Sequence, residues 1–140
     1  MAEAQEKRPP DFGRYEKRAQ EIAENFEKAA DVVERASAKA RAKASNLRSI
    51  WGDLQALLRL LRGWANRTYT RVPWGTVVMG LAAALYLLNP LDLAPDFIPL
   101  VGYLDDATVI AFVIRSIQKE LDRFKEWEGN GKASAEKTNP

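Results

Sequence analysis

Asp92, Asp96, Asp105 and Asp106 are the only charged residues between Val72 and Ile114, a stretch otherwise dominated by large apolar side chains. An ionised carboxylate taken out of water needs donors close by or it protonates. With no Lys, Arg or His in the segment, those donors are backbone N–H groups. Asp92 stands three residues before Pro95 and Asp96 three before Pro99, a repeated D-x-x-P that suits aspartates capping successive short turns. Asp105 and Asp106 precede a helical pattern, where the macrodipole and free N–H groups favour negative charge. The reading favoured by these spacings is therefore four acids that hold a turn together. Two functional readings compete with it. One is an oxygen-only site for Mg²⁺ or Ca²⁺, with or without a Mg²⁺-dependent activity, although neither the spacing nor any glycine matches a known cation loop. The other is a proton or ion relay at membrane depth.

The rest of the chemistry is narrowed by what the 140 residues lack. Cysteine and histidine are both absent, which removes thiol nucleophiles, disulfides, imidazole bases and the usual zinc ligand sets. No catalytic residue and no resident cofactor or metal is expected, and the chain reads as non-enzymatic.

The aspartates need elements to position them. Val72 to Leu88 carries no charge, and Pro73 suits the first turn of a helix, where its missing N–H is no loss. Asn89 precedes Pro90 and is pushed out of helical geometry, so that helix stops there. From Asn89 to Asp106 the chain reads NPLDLAPDFIPLVGYLDD; Pro90, Pro95, Pro99 and Gly102 exclude a regular helix across it. Asp105 or Asp106 then caps ATVIAFVI, continued amphipathically through Ile117, Leu121, Phe124 and Trp127. Residues 72–127 are thus expected to form a short helical hairpin with an acidic, proline-rich turn.

The stretch YLLNPLDLAPDFIPLVGYLDD resembles the signature of the YkvA family, close to Y-L-x-x-P-x-D-x-I-P-D-x-I-P-x-x-G-x-x-D-D. Tyr86, Pro90, Asp92, Pro95, Asp96, Pro99, Gly102, Asp105 and Asp106 fall in register, and Ala94 replaces the large aliphatic residue common at its position. The resemblance covers about two fifths of the chain, roughly Val72 to Trp127. It implies a helical hairpin, often membrane-associated and also found at the C-terminus of a membrane-bound RING-type ubiquitin ligase, and it implies no catalytic activity.

Upstream, residues 1–10 read as a disordered lead and residues 11–71 as an amphipathic helical region. Apolar residues recur from Tyr15 to Ala40 and again from Ala44 to Ala65 in steps of three and four, the helical period. Two helices are expected, about Asp11 to Ala44 and Leu47 to Asn66, with a break near 45–52 and bends near Gly52 and Gly63. The first has a thin stripe dominated by alanine that something must cover, either the rest of the chain, a second copy, or a protein partner. Residues 128–140 read as a disordered tail by composition. The fold expected is all-α, in one domain.

Charge is distributed unevenly. Arg35 to Arg71 holds nine Lys and Arg against the single acid Asp53, while Val72 to Ile114 has no cation. A cation-free apolar block flanked by cations is the pattern of a hairpin with both ends cytoplasmic, and the resemblance to a bacterial family implies the inner membrane as its place. The polar N-terminus, Met1 to Pro10, contains no secretory signal pattern. Arg59, Arg62, Arg67, Arg71 and Arg115, with Trp64 and Trp74, are the candidate contacts with membrane lipid. Val72 to Leu88 spans about 24 Å as a helix, short of a roughly 30 Å hydrocarbon core, so uneven insertion or re-entry fits better than two ordinary spans. The rival is a cytoplasmic helical bundle in which the hairpin is the core and the basic amphipathic helix covers it. The run ASAKARAKA, Ala36 to Ala44, reads as a solvated helix face rather than a nucleic-acid tail.

Overall fold

The uncharged helix between Pro73 and Asn89 is apolar on every side, and the other helices are arranged to cover it. The computed structural model describes residues 12–45, 47–88 and 106–138. Among them the helices are α1 (Phe12–Ala23), α2 (Phe26–Ala42), α3 (Trp51–Ala65), α4 (Trp74–Leu88), α5 (Asp106–Ser116) and α6 (Gln118–Thr138), with one 3₁₀ turn at Arg48–Ile50 before α3. The protein is all-α. Ten of the fifteen residues of α4 are buried, from Thr76 to Leu87, against α1, α2, α3 and α5.

Two kinds of surface do the covering. On one side α1 and α2 bring small residues, Ala19 and Ala23 from α1 with Ala29, Val33, Ala36 and Ala40 from α2. Small side chains let helix backbones approach closely, and α1 packs along α4 more extensively than any other pair of helices. It runs antiparallel to α4, with Tyr15 meeting Tyr86 at a ring-centroid separation of 5.2 Å. On the other side α3 brings Leu54, Leu57, Leu58, Leu60 and Leu61. There Gly80 of α4 makes the room: a Cβ at that position would lie 2.9 Å from Leu61 Cδ2 and 3.1 Å from Leu57 Cδ1.

The alanine stripe expected to need a cover is itself the cover. The single helix expected from Asp11 to Ala44 is divided at Glu24 and Asn25. Asn25 leaves helical geometry (φ −135°, ψ 108°) and its side-chain oxygen accepts the N–H of Lys28 at 3.1 Å, a helix N-cap. The apolar stripe stays in phase across the break, from Ile22 to Ala29, so periodicity alone does not register it. The reversal between α2 and α3 falls from Lys43 to Ile50, anchored by the fully buried Leu47.

The second half of the hairpin is α5 continued by α6, with an irregularity at Ile117. Ser116 Oγ donates to the Phe112 carbonyl at 2.9 Å, a back-bond that bends helices. Past residue 128, where a disordered tail is expected, α6 runs through Gly129 to Thr138, and Lys132, Ala133, Ala135, Glu136 and Lys137 are good helix formers. The acidic, proline-rich turn lies outside the described residues, including Pro90, Asp92, Pro95, Asp96, Pro99, Gly102 and Asp105. Asp106 is the first residue of α5.

Gly80→Ile is expected to lower stability by about 1–3 kcal/mol, because the two leucines it would strike are themselves fully buried. Gly52→Ala, in open space in the first turn of α3, is expected to raise it by about 0.5 kcal/mol. Thermal unfolding of the two variants beside the parent checks both signs.

Candidate functional site: the aromatic and arginine-bearing end of the bundle

The loop between α3 and α4 is built by an unusual helix end. Thr68 N–H donates to Gly63 O at 2.9 Å and Arg67 N–H to Trp64 O at 3.1 Å, the paired bonds of a Schellman motif. In that motif the residue with left-handed backbone is usually glycine. Here it is Arg67, at φ 67°. A non-glycine residue there costs about 1 kcal/mol or more. The guanidinium of Arg67 lies over the Phe26 ring, 4.5 Å from its centroid, and Phe26 in turn sits 5.0 Å from the Trp64 ring. Gly63 permits the return: a Cβ there would sit 3.2 Å from Tyr69 Cβ.

Beyond Arg67 the chain turns inward at Tyr69. Its ring packs edge-on to Phe124 at 5.0 Å and against Trp127 at 4.8 Å, and burial pushes its phenol pKa above the usual value. Arg71, Arg123, Glu126 and Asn130 border an open groove beside this cluster. Trp74 opens α4 three residues after Arg71. Phe26, Trp74 and Trp127 are the large hydrophobic side chains most open to water among the described residues, at 38%, 50% and 44% exposure. The loop 66–73 joins all three to one end of the bundle, since Phe26 reaches it through Arg67, Trp127 through Tyr69 and Trp74 through the chain itself. The charge of this end is mixed: Glu126 lines the same groove as Arg71 and Arg123, and Glu24 and Glu27 flank Phe26 in the sequence.

The candidate lipid contacts therefore separate. Trp64, Arg67, Arg71 and Trp74 are brought together at this end. Arg59 and Arg62 lie on the outer face of α3, each in a two-bond ion pair, Arg59 with Glu128 of α6 at 2.7 and 3.0 Å and Arg62 with Glu34 of α2 at 2.6 and 3.2 Å. Arg115 is exposed on α5, twelve residues before Trp127 and so about 18 Å along the helical path. Phe26 and Trp127 were not legible as site residues, because their spacing matches that of the core. Among the described residues no group of three or more Asp, Glu, His or Cys is placed to hold a metal ion, and the carboxylates proposed for Mg²⁺ or Ca²⁺ fall outside the described residues or, for Asp106, outside the described side chains.

Comparison with known proteins bears on most of the chain. Residues 76–112 match the family described as "Protein of unknown function (DUF1232)". Over 100 residues the chain is 34% identical to "Uncharacterized membrane protein YkvA" of Bacillus subtilis (strain 168), covering 71% of this chain and 94% of that protein. The chain belongs to the YkvA family. The family match covers α4, the acidic turn and much of α5, whereas the alignment to YkvA extends well past it and takes in covering helices as well. No solved structure matches. No described helix is long and apolar enough to cross a membrane.

Arg67→Gly is expected to be about 1 kcal/mol more stable than Arg67→Ala, since both remove the cation but only glycine relieves the backbone; chemical denaturation of the pair measures the difference. The Arg62 guanidinium beside Glu34 holds its carboxyl below the ordinary range, its hydrogen bond being the main cause. The folded state thus binds this proton less tightly than the unfolded chain. The contact contributes fully above the ordinary carboxylate pKa and is lost as pH falls through the lowered one. With Glu34 largely exposed the energetic effect is small, and an NMR titration of its side-chain carboxyl carbon is expected to show the displaced midpoint.

Proposed function

We propose that this chain is a non-enzymatic, membrane-associated adaptor that rests on the lipid surface by its aromatic and arginine-bearing end. The observation that carries the reading is the gathering of Phe26, Trp74 and Trp127, the most exposed large hydrophobics described, at one end beside Arg67, Arg71 and Arg123. Indole rings with an apolar body and a polar N–H settle at the headgroup level of bilayers, and arginine completes such a belt. The name of the B. subtilis relative, a membrane protein, supports the placement.

This reading differs from an inserted hairpin in which surface meets lipid. The apolar faces of α4 are already occupied by α1, α2, α3 and α5. To enter the bilayer as a hairpin, α4 would have to shed covers whose own apolar stripes would then face water. A surface-bound bundle keeps those contacts and leaves the charged outer faces of α1 and α2 toward the cytoplasm as the adaptor surface. Chemistry in the chain supports binding rather than catalysis, there being no histidine or cysteine to act as nucleophile or base near neutral pH.

Burying the exposed half of an indole contributes about 1 kcal/mol. Trp74→Ala is therefore expected to weaken partitioning into bilayer vesicles roughly fivefold with an unchanged Tm, and the further Trp127→Ala change to weaken it by a similar factor, as read by vesicle co-sedimentation. In expressing cells the protein is expected in the membrane fraction at neutral pH and in the supernatant after a carbonate wash. Recovery wholly in the soluble fraction before the wash, or full retention after it, would each defeat the surface-bound reading.

A further inference from the structure

A second surface, independent of the membrane-facing end, lies in the groove between α2 and α3. Ser37, Ala40 and Arg41 of α2 and Trp51, Gln55, Leu58, Arg59 and Arg62 of α3 enclose a volume of about 230 Å³. Three of the eight lining residues are arginines and none is acidic. Ala40, Leu58 and the indole of Trp51 form its apolar part, a low-dielectric wall that strengthens any charge contact made against it.

The way the arginines are held matters more than their number. Glu128 takes the Nε and Nη2 donors of Arg59, and Glu34 takes the same edge of Arg62. Ser37 Oγ, buried and donating to Val33 O at 2.9 Å, accepts a further bond from Arg62 Nη2 at 3.3 Å. Each guanidinium is thereby fixed in the groove wall, with its Nη1 group left without a hydrogen bond among the described residues. Arg41 makes no hydrogen bond or ion pair among the described residues, although it is near enough for its charge to help lower the Glu34 pKa. A carboxylate needs only one guanidinium edge to satisfy both oxygens. Three separate guanidinium groups around one small groove match a group with three unshared oxygens.

We propose that the α2–α3 groove is a binding site for a phosphomonoester group, with Arg41, Arg59 and Arg62 as its donors. Arg41 is the residue whose hydrogen-bond donors are left for the ligand, whereas the other two are also bonded to Glu34 and Glu128. The terminal phosphate of a lipid such as phosphatidic acid and a soluble phosphomonoester share this chemistry.

The test is a titration of the full chain with inorganic phosphate at constant ionic strength, read by ¹H–¹⁵N NMR. The indole N–H of Trp51 and the Nε–H signals of Arg41, Arg59 and Arg62 are expected to shift saturably, while that of Arg35, on the outer face of α2 with Asp31, stays in place. Arg41→Gln is expected to weaken binding about tenfold with Tm unchanged, and Arg41→Lys to weaken it less. Phosphatidylcholine vesicles carrying phosphatidic acid identify the source. If they displace phosphate from the groove, the ligand is a lipid headgroup; if they bind the protein and leave phosphate in the groove, it is a soluble phosphomonoester. Either result supports the site. An absence of saturable shifts, shifts matched by chloride alone, or equal phosphate binding by Arg41→Gln would overturn it.

Discussion

The need to enclose α4 on all sides governs this fold. A helix with one apolar stripe can rest on a neighbour and leave its back to water. A helix that is apolar all round must be ringed. Fifteen uncharged residues at the centre therefore call for four helices around them, and the chain supplies these from both directions, α1 to α3 from before and α5 from after. The division of labour among them follows side-chain size. Gly80 and the alanines of α1 and α2 allow close backbone approach, while the leucines of α3 fill the remaining volume.

The uncharged block was legible as a helix, and its meaning was not. An all-round apolar segment has the same pattern whether lipid or protein surrounds it, so the cations flanking residues 72–114 could be read as marking a membrane hairpin. What covers the block within this chain is the stripe from Tyr15 to Ala40, which was legible as apolar but ownerless until α1 and α2 are seen lying on α4. The capping of α2 by Asn25 is not legible from periodicity, because the stripe keeps its phase through the break. Ion pairs such as Arg59 with Glu128 and Lys125 with Asp53 join residues 69 and 72 positions apart, a separation at which spacing carries no information. Family membership was legible, because the prolines and aspartates that carry the resemblance are local in the sequence.

The two ends of the bundle differ in character. One is the end at which α4 stops at Leu88 and α5 starts at Asp106. The other is closed by a loop whose left-handed residue is Arg67 and around which the exposed aromatic rings collect. Between them, salt bridges from α3 to α2 and to α6 run along the outside. All are substantially exposed, so they add little to stability and act chiefly on where side chains point. The orientation of Arg59 and Arg62 is one such outcome.

Alanine has no side-chain rotamers to freeze, so the helices that cover α4 with it lose little side-chain entropy on docking. The same economy makes the seam directional under mutation. At Ala19, Ala29 or Ala36, each fully enclosed, every substitution except glycine enlarges the side chain, and the backbones have no slack in which to accept it. The leucine side can exchange one shape for another of equal volume. Drift in this lineage should therefore leave the N-terminal seam poor in variety and concentrate its experiments on the opposite wall.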